Sequence, residues 1–185
     1  MKHETGIGCQ MLCYARIAEE RVAPPPESLT RKVKLFIRRN VSPARERALR
    51  ASTNKLMNRL ARLRGKPPRP TAPPEALAAT NLQAGDLVRV RSKEEIEATL
   101  DNWGQLKGCG FMPEMEQFCG TTQRVLKRVE RFVDERDLRV KRAKGLIFLD
   151  GVFCTGTADF GPCDRTCYFF WREEWLEKIG GPPGE

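Results

Sequence analysis

Pro67, Pro68, Pro70, Pro73 and Pro74 crowd the stretch from Lys66 to Thr80. No regular helix or strand passes through such a run, because each proline fixes φ and removes a backbone donor. The chain is therefore read as a helical segment over residues 1–65, a proline-rich linker over 66–80, and a compact unit over 81–185. Charge divides at the same place. Residues 1–80 hold 17 Lys plus Arg against 6 Asp plus Glu, or +11; residues 81–185 hold 16 against 18, or −2. The net charge of +9 thus belongs to the segment before the linker.

That segment reads as basic helix. Cys9 to Ala23 has helical character and stops at Pro24-Pro25-Pro26. Ser28 is a candidate N-cap for a first piece containing Val33, Leu35, Phe36 and Ile37. Ser42-Pro43 supplies the N-cap and first-turn proline of a second piece, and Gly65 its stop. Leu49, Leu56, Leu60 and Leu63 fall on one narrow face there, while Arg45, Arg47, Arg50, Lys55, Arg59, Arg62 and Arg64 take much of the rest.

After the linker, short strands dominate. Gly85-Asp86 turns into a strand over Leu87–Val90. Ser92 with Glu95 forms a capping box that opens a helix through Ile96, Leu100 and Trp103, ended by Gly104. Met112 to Gly120 suits a helical turn starting at Pro113. Recurrent β-branched residues make Arg124–Glu135 a strand, with Asp134 to Asp137 a hairpin turn into Leu138–Lys141. Leu146–Leu149 and Val152–Phe153 flank the turn Asp150-Gly151. Asp164 is read as the cap of a final helix over Arg165–Ile179, stopped by Gly180-Gly181, with Trp171, Trp175 and Ile179 as its core stripe. The expected fold is α+β: a small SH3-like barrel or half-barrel with a C-terminal helix, preceded by a basic helical N-terminal segment.

Function is sought in the cysteines. No apolar run approaches the roughly 18 residues of a membrane span, and no export signal is visible. A cytoplasmic location is expected, where seven cysteines do not form a disulfide framework. Cys163 and Cys167 make a C-x3-C pair, Cys154 precedes them across a glycine-containing loop, and Cys119 comes from the turn after Pro113. Thiolates converging from separate segments are what a zinc ion or an iron–sulfur cluster needs. The expected metal ligands are Cys119, Cys154, Cys163 and Cys167, holding Zn2+ or, alternatively, an iron–sulfur cluster. A helix beginning at Asp164 would lend Cys163 and Cys167 its positive end. Cys109 is a possible replacement for Cys119, and Cys9 with Cys13 a possible second pair. The competing reading is that the thiols are small buried apolar groups.

Other chemistry finds less support. His3 is the only histidine, which disfavours Cys–His catalysis. Phosphate-binding glycine loops are absent. Glu114 and Glu116 suit a solvated turn better than acid–base work. The basic residues 28–66 could meet a protein partner, a nucleic acid or an anionic membrane surface, although aromatic interleaving for single-strand binding is missing.

The run Cys163-Asp164-Arg165-Thr166-Cys167 to Trp171-Arg172-Glu173-Glu174-Trp175-Leu176, with Phe111 to Met115, Cys119-Gly120 and Gly151 to Cys154, resembles an uncharacterised bacterial family of small cysteine-motif proteins. The resemblance covers about residues 84–179. It implies that the four cysteines belong together, and it implies no activity.

Overall fold

The computed structural model describes residues 14–19, 29, 32–33, 36, 40–70 and 81–181. Antiparallel strands and short helical turns make the unit after the linker, so the α+β class holds. Strands β1 (Leu87–Val90), β4 (Thr122–Arg128), β7 (Leu146–Leu149), β10 (Trp171–Arg172) and β11 (Leu176–Gly180) form one sheet in the order β10-β7-β4-β1-β11. Small ladders join β2 (Gln105–Leu106) to β3 (Cys109–Gly110), β5 (Arg131–Asp134) to β6 (Arg139–Arg142), and β8 (Phe153–Thr157) to β9 (Gly161–Tyr168). The strands read at Leu87–Val90, within Arg124–Glu135 and at Leu146–Leu149 are all present, as is the Asp134 to Asp137 turn, where Leu138 N–H donates to the Asp134 carbonyl.

The chain passes from β10, one edge of the sheet, to β11, the other edge, through a single 3-10 turn, Glu173–Trp175. Edges that close together require a strongly curled sheet. Trp171, Trp175, Val88, Ile147 and Leu149 are fully buried inside it. The Trp175 indole N–H donates to Thr99 Oγ1 at 3.0 Å, and Phe111 meets the same ring edge-on with centroids 5.7 Å apart.

This crossing overturns the expected C-terminal helix. Residues 161–180 are β9, β10, the 3-10 turn and β11. The tryptophan spacing mimics a helical stripe, but Ile179 is 53% exposed. All six residues from Trp171 to Leu176 are buried, which a helix with one solvated face cannot achieve. Ion pairing makes that burial tolerable. The Arg172 guanidinium donates from Nε and Nη2 to Glu174, both at 3.1 Å, and from Nη1 to the Lys144 carbonyl at 3.0 Å. Lys107 reaches Glu174 at 2.6 Å, and Arg128 reaches Glu173 at 2.8 Å. Gly145 takes φ +67°, which favours glycine, and a Cβ there would stand 2.9 Å from Arg172 Nη2 and push the guanidinium from its place.

The capping box at Ser92 and Glu95 is present, but α3 spans only Lys93–Glu97. Asp101 ends the helical path. Its Oδ1 accepts from Trp103 N–H at 2.8 Å and Gln105 N–H at 3.0 Å, an alternative that helix cannot match.

Before the linker, α1 covers Tyr14–Ile17 and α2 covers Pro43–Leu63. Ala18 and Glu19 are already out of the helix, which therefore ends before the prolines expected to stop it; residues 9–13 and 20–23, the Ser28 cap and residues 71–80 lie outside the described residues. Ser42 caps α2 by accepting from Arg45 N–H. Gly65 at φ +66° closes it, Gly65 N–H bonding to Arg62 O and Lys66 N–H to Ala61 O. The helix docks through polar residues. Asn54 donates to Asp101 at 3.0 Å, Asn58 accepts from Asn102 at 3.0 Å, and Glu46 pairs with Arg136 at 2.7 Å. Arg50 lies over the Trp103 ring. The leucine stripe faces away, its members between 42% and 84% exposed.

Asp86 anchors β1 to β11. It is fully buried, and Oδ2 accepts from Gln83 N–H and from Lys178 Nζ, each at 2.8 Å. Burial pushes its carboxyl up, but the Gln83 and Lys178 bonds outweigh this and hold it below the ordinary aspartate range. A lowered folded pKa contributes stability above the unfolded value and loses it as pH falls through the folded one. Asp86→Asn should therefore cost roughly 1.5–3 kcal/mol at neutral pH. In urea titrations the deficit should shrink steadily below about pH 4.

Candidate metal centre

The β8–β9 hairpin brings three of the four expected ligands onto one small ladder. Phe153 faces Tyr168 and Cys154 faces Cys167; beyond them Gly156 faces Pro162 and Thr157 faces Gly161. Between the paired positions β8 contributes Thr155 alone, whereas β9 contributes Cys163 to Thr166. The surplus is a wide bulge, and Thr166 takes φ +56° within it. Gly156 makes the arrangement possible: a Cβ there would lie 2.3 Å from the Gly161 carbonyl oxygen. Directly opposed residues carry Cβ atoms about 4.5–5.5 Å apart, within reach of one shared ion.

The hairpin is fixed to the sheet by aromatic contacts. Tyr168 stacks on Phe148 with centroids 5.0 Å apart and touches Phe153 at 4.6 Å. Cys154 packs against the core, while Cys163 and Cys167 are exposed. Burial raises the Cys167 thiol, Arg165 opposes it, and Cys163 and Cys154 raise it further, with a net upward shift. Arg165 sits in the bulge between Cys163 and Cys167, pairs with Glu135, and lies 5.2 Å from the Tyr14 ring centroid.

Because residues 165–179 are not a helix, no helix terminus stands behind Cys163 and Cys167. The stabilisation expected from that source is absent, and Arg165 is the cation on the bulge instead.

Cys119 has a different setting. It follows the 3-10 turn Pro113–Phe118, where its N–H donates to the Glu116 carbonyl at 3.0 Å. Gly120, at φ +74°, turns the chain so that its N–H reaches Val90 O. Burial raises the Cys119 thiol, Glu116 and Glu94 add to this, and Lys93 opposes. Cys119 and Cys154 pack on the same core. The 3-10 turn also touches the hairpin tip, where Ala158 N–H donates to Glu114 Oε1 at 2.8 Å. A shallow cleft of about 320 Å³ runs between them, lined by Glu114, Gly156, Thr157 and Pro162 among others. Glu114 is thus a link between turn and hairpin.

Among the described residues no three of His, Cys, Asp and Glu stand close enough to hold a metal ion. Cys109 is half-buried against the core. Its Sγ donates to the Phe170 carbonyl at 3.3 Å, and burial pushes its pKa up to about 12. Cys9 and Cys13 lie outside the described residues.

The Arg172–Glu174–Lys107 cluster joins residues from two distant parts of the chain. Its signal was the placement of three charged residues between two tryptophans, a pattern in which burial forces pairing.

Compared with protein-family models, curated proteins and solved structures, the chain matches none.

Thiol accessibility sets an order of reactivity. At pH 8 a maleimide should modify Cys163 and Cys167 first and Cys119 and Cys154 more slowly. Cys109, equally half-buried but with the most strongly raised thiol, should react slowest, as read by peptide mass mapping.

Proposed function

We propose that the chain is a small metal-binding accessory protein in which Cys119, Cys154, Cys163 and Cys167 hold Zn2+, and whose basic N-terminal helix docks on an anionic partner. The observation that carries the reading is the β8–β9 hairpin, where Cys154 faces Cys167 and a bulge adds Cys163. Cys167, whose thiol is raised by burial and by the neighbouring Cys163 and Cys154, becomes a thiolate at little cost once a divalent cation sits beside it. The Glu114–Ala158 bond supports Cys119 as the fourth ligand, since it ties the Cys119 turn to the same hairpin. Such a site would be structural, bracing the hairpin against the core.

The strand order and the 3-10 turn between the last two strands support an SH3-like barrel as scaffold. A reducing compartment such as the cytoplasm would keep the thiols available to metal. No described helix is long and apolar enough to cross a membrane.

A second reading is an iron–sulfur redox or metalloenzyme component. It is favoured by the irregular spacing of the four cysteines, which suits a cluster as well as it suits a zinc ion. A nucleic-acid-binding role for the basic helix is a third.

Elemental analysis with a visible spectrum on anaerobically purified protein separates these. Stoichiometric zinc without colour is expected. Iron with sulfide and a band near roughly 400 nm would establish the second reading. Folded protein free of both metals would sink the proposal. Cys154→Ser, Cys163→Ser and Cys167→Ser should each lose most of the metal, and Cys109→Ser should retain it. If Cys119→Ser also retains it, the ion has three protein ligands and an open position, as catalytic zinc does.

Metal binding by thiols releases protons, so affinity falls with acidification. In competition with a chromogenic chelator, zinc occupancy at pH 6 should be well below that at pH 8.

A further inference from the structure

We infer that the exposed face of α2 is a lipid-contact surface, which lays the helix flat on an anionic bilayer. This inference deepens the docking half of the proposed function and is independent of the metal site.

The orientation of α2 is the first argument. Glu46, Arg50, Asn54 and Asn58 recur every four residues and face Arg136, Trp103, Asp101 and Asn102. The helix is thus held by its polar side. Leu49, Leu56, Leu60 and Leu63 point to solvent, and the helix buries no residue completely. Leu29, Val33 and Phe36, helical residues upstream, are exposed as well.

Charge supplies the second argument. Glu46 is the one acidic residue of α2, and it is withdrawn into pairs with Arg50 and Arg136, each at 2.7 Å. The exposed side carries Arg45, Lys55, Arg59 and Arg62 beside the leucines, with no anion among them. A second copy of the helix is a poor occupant, since its cations would face these cations. Nucleic acid would meet the arginines and leave the leucines wet. A protein would have to offer a groove, because the stripe is a convex ridge. A bilayer with anionic headgroups accepts both parts: leucines enter the acyl boundary while guanidinium and ammonium groups stay at phosphate level. At 1.5 Å per residue, the 21 residues of α2 give a contact about 31 Å long.

The test is co-sedimentation of the full chain with vesicles of equal phosphatidylglycerol and phosphatidylcholine, and with pure phosphatidylcholine. Binding to the anionic vesicles alone is expected. It should weaken at least tenfold at about 1 M salt, where the screening length is about 3 Å. The variant Leu56→Ser/Leu60→Ser leaves the charge unchanged and should lose binding at least tenfold. Arg59→Gln/Arg62→Gln should do so too, and circular dichroism with thermal melting certifies that both variants fold. Absence of binding to the anionic vesicles overturns the inference. So does binding that survives the leucine substitutions, because attraction would then be purely electrostatic. Retention on polyglutamate or duplex DNA with no vesicle binding overturns the bilayer while sparing the anionic-partner reading.

Discussion

The buried guanidinium of Arg172 is the interaction on which the rest of the unit depends. The chain must cross from one sheet edge to the other in three residues, and two of them, Glu173 and Glu174, are acidic and follow directly on Arg172. A charge without a partner in the interior is prohibitively costly, and removing one member of a buried pair typically costs about 3–5 kcal/mol. Glu174, the Lys144 carbonyl and the missing side chain at Gly145 together make the crossing possible. With Trp171 and Trp175 pinned on either side, Phe169 enters the core and Tyr168 stacks on Phe148. The cysteine hairpin hangs from that stack.

The hairpin shows how strand geometry gathers thiols. A strict antiparallel ladder would place Cys163 four residues from Cys167, on the same face but remote. The bulge instead sets Cys163 to Thr166 opposite the single residue Thr155. Cys154 faces Cys167 across the strands. Arg165, carried in the same loop, is the cation that opposes the upward shift of Cys167. Cys119 approaches from outside the hairpin, through a turn tied to it by Glu114.

The basic helix follows a different logic. Side-chain amides and one carboxylate, not leucines, choose its face toward the sheet unit, because Asp101, Asn102 and Arg136 present polar groups there. Hydrogen bonds between neutral side chains contribute about 0.5–1.5 kcal/mol each, so several are needed to hold it.

Much was legible before any coordinates. Ser42-Pro43 and Gly65 bracket α2, Ser92 and Glu95 cap α3, and β-branched runs mark β1, β4 and β7, because caps, turns and strand patterns are local chemistry. The C-x3-C pair and its upstream neighbour marked Cys154, Cys163 and Cys167, but not that they would lie on one two-stranded hairpin. The sequence could not decide the state of residues 165–179. Trp171, Trp175 and Ile179 satisfy a helical period, and only the buried partners of Arg172 and Glu174, at Lys144 and Lys107, make strand and 3-10 turn the lower-energy choice. Nor could it reveal which side of α2 is covered. Periodicity finds an apolar stripe, but docking depends on what the opposing surface offers, and that surface is assembled from residues roughly fifty to ninety positions away.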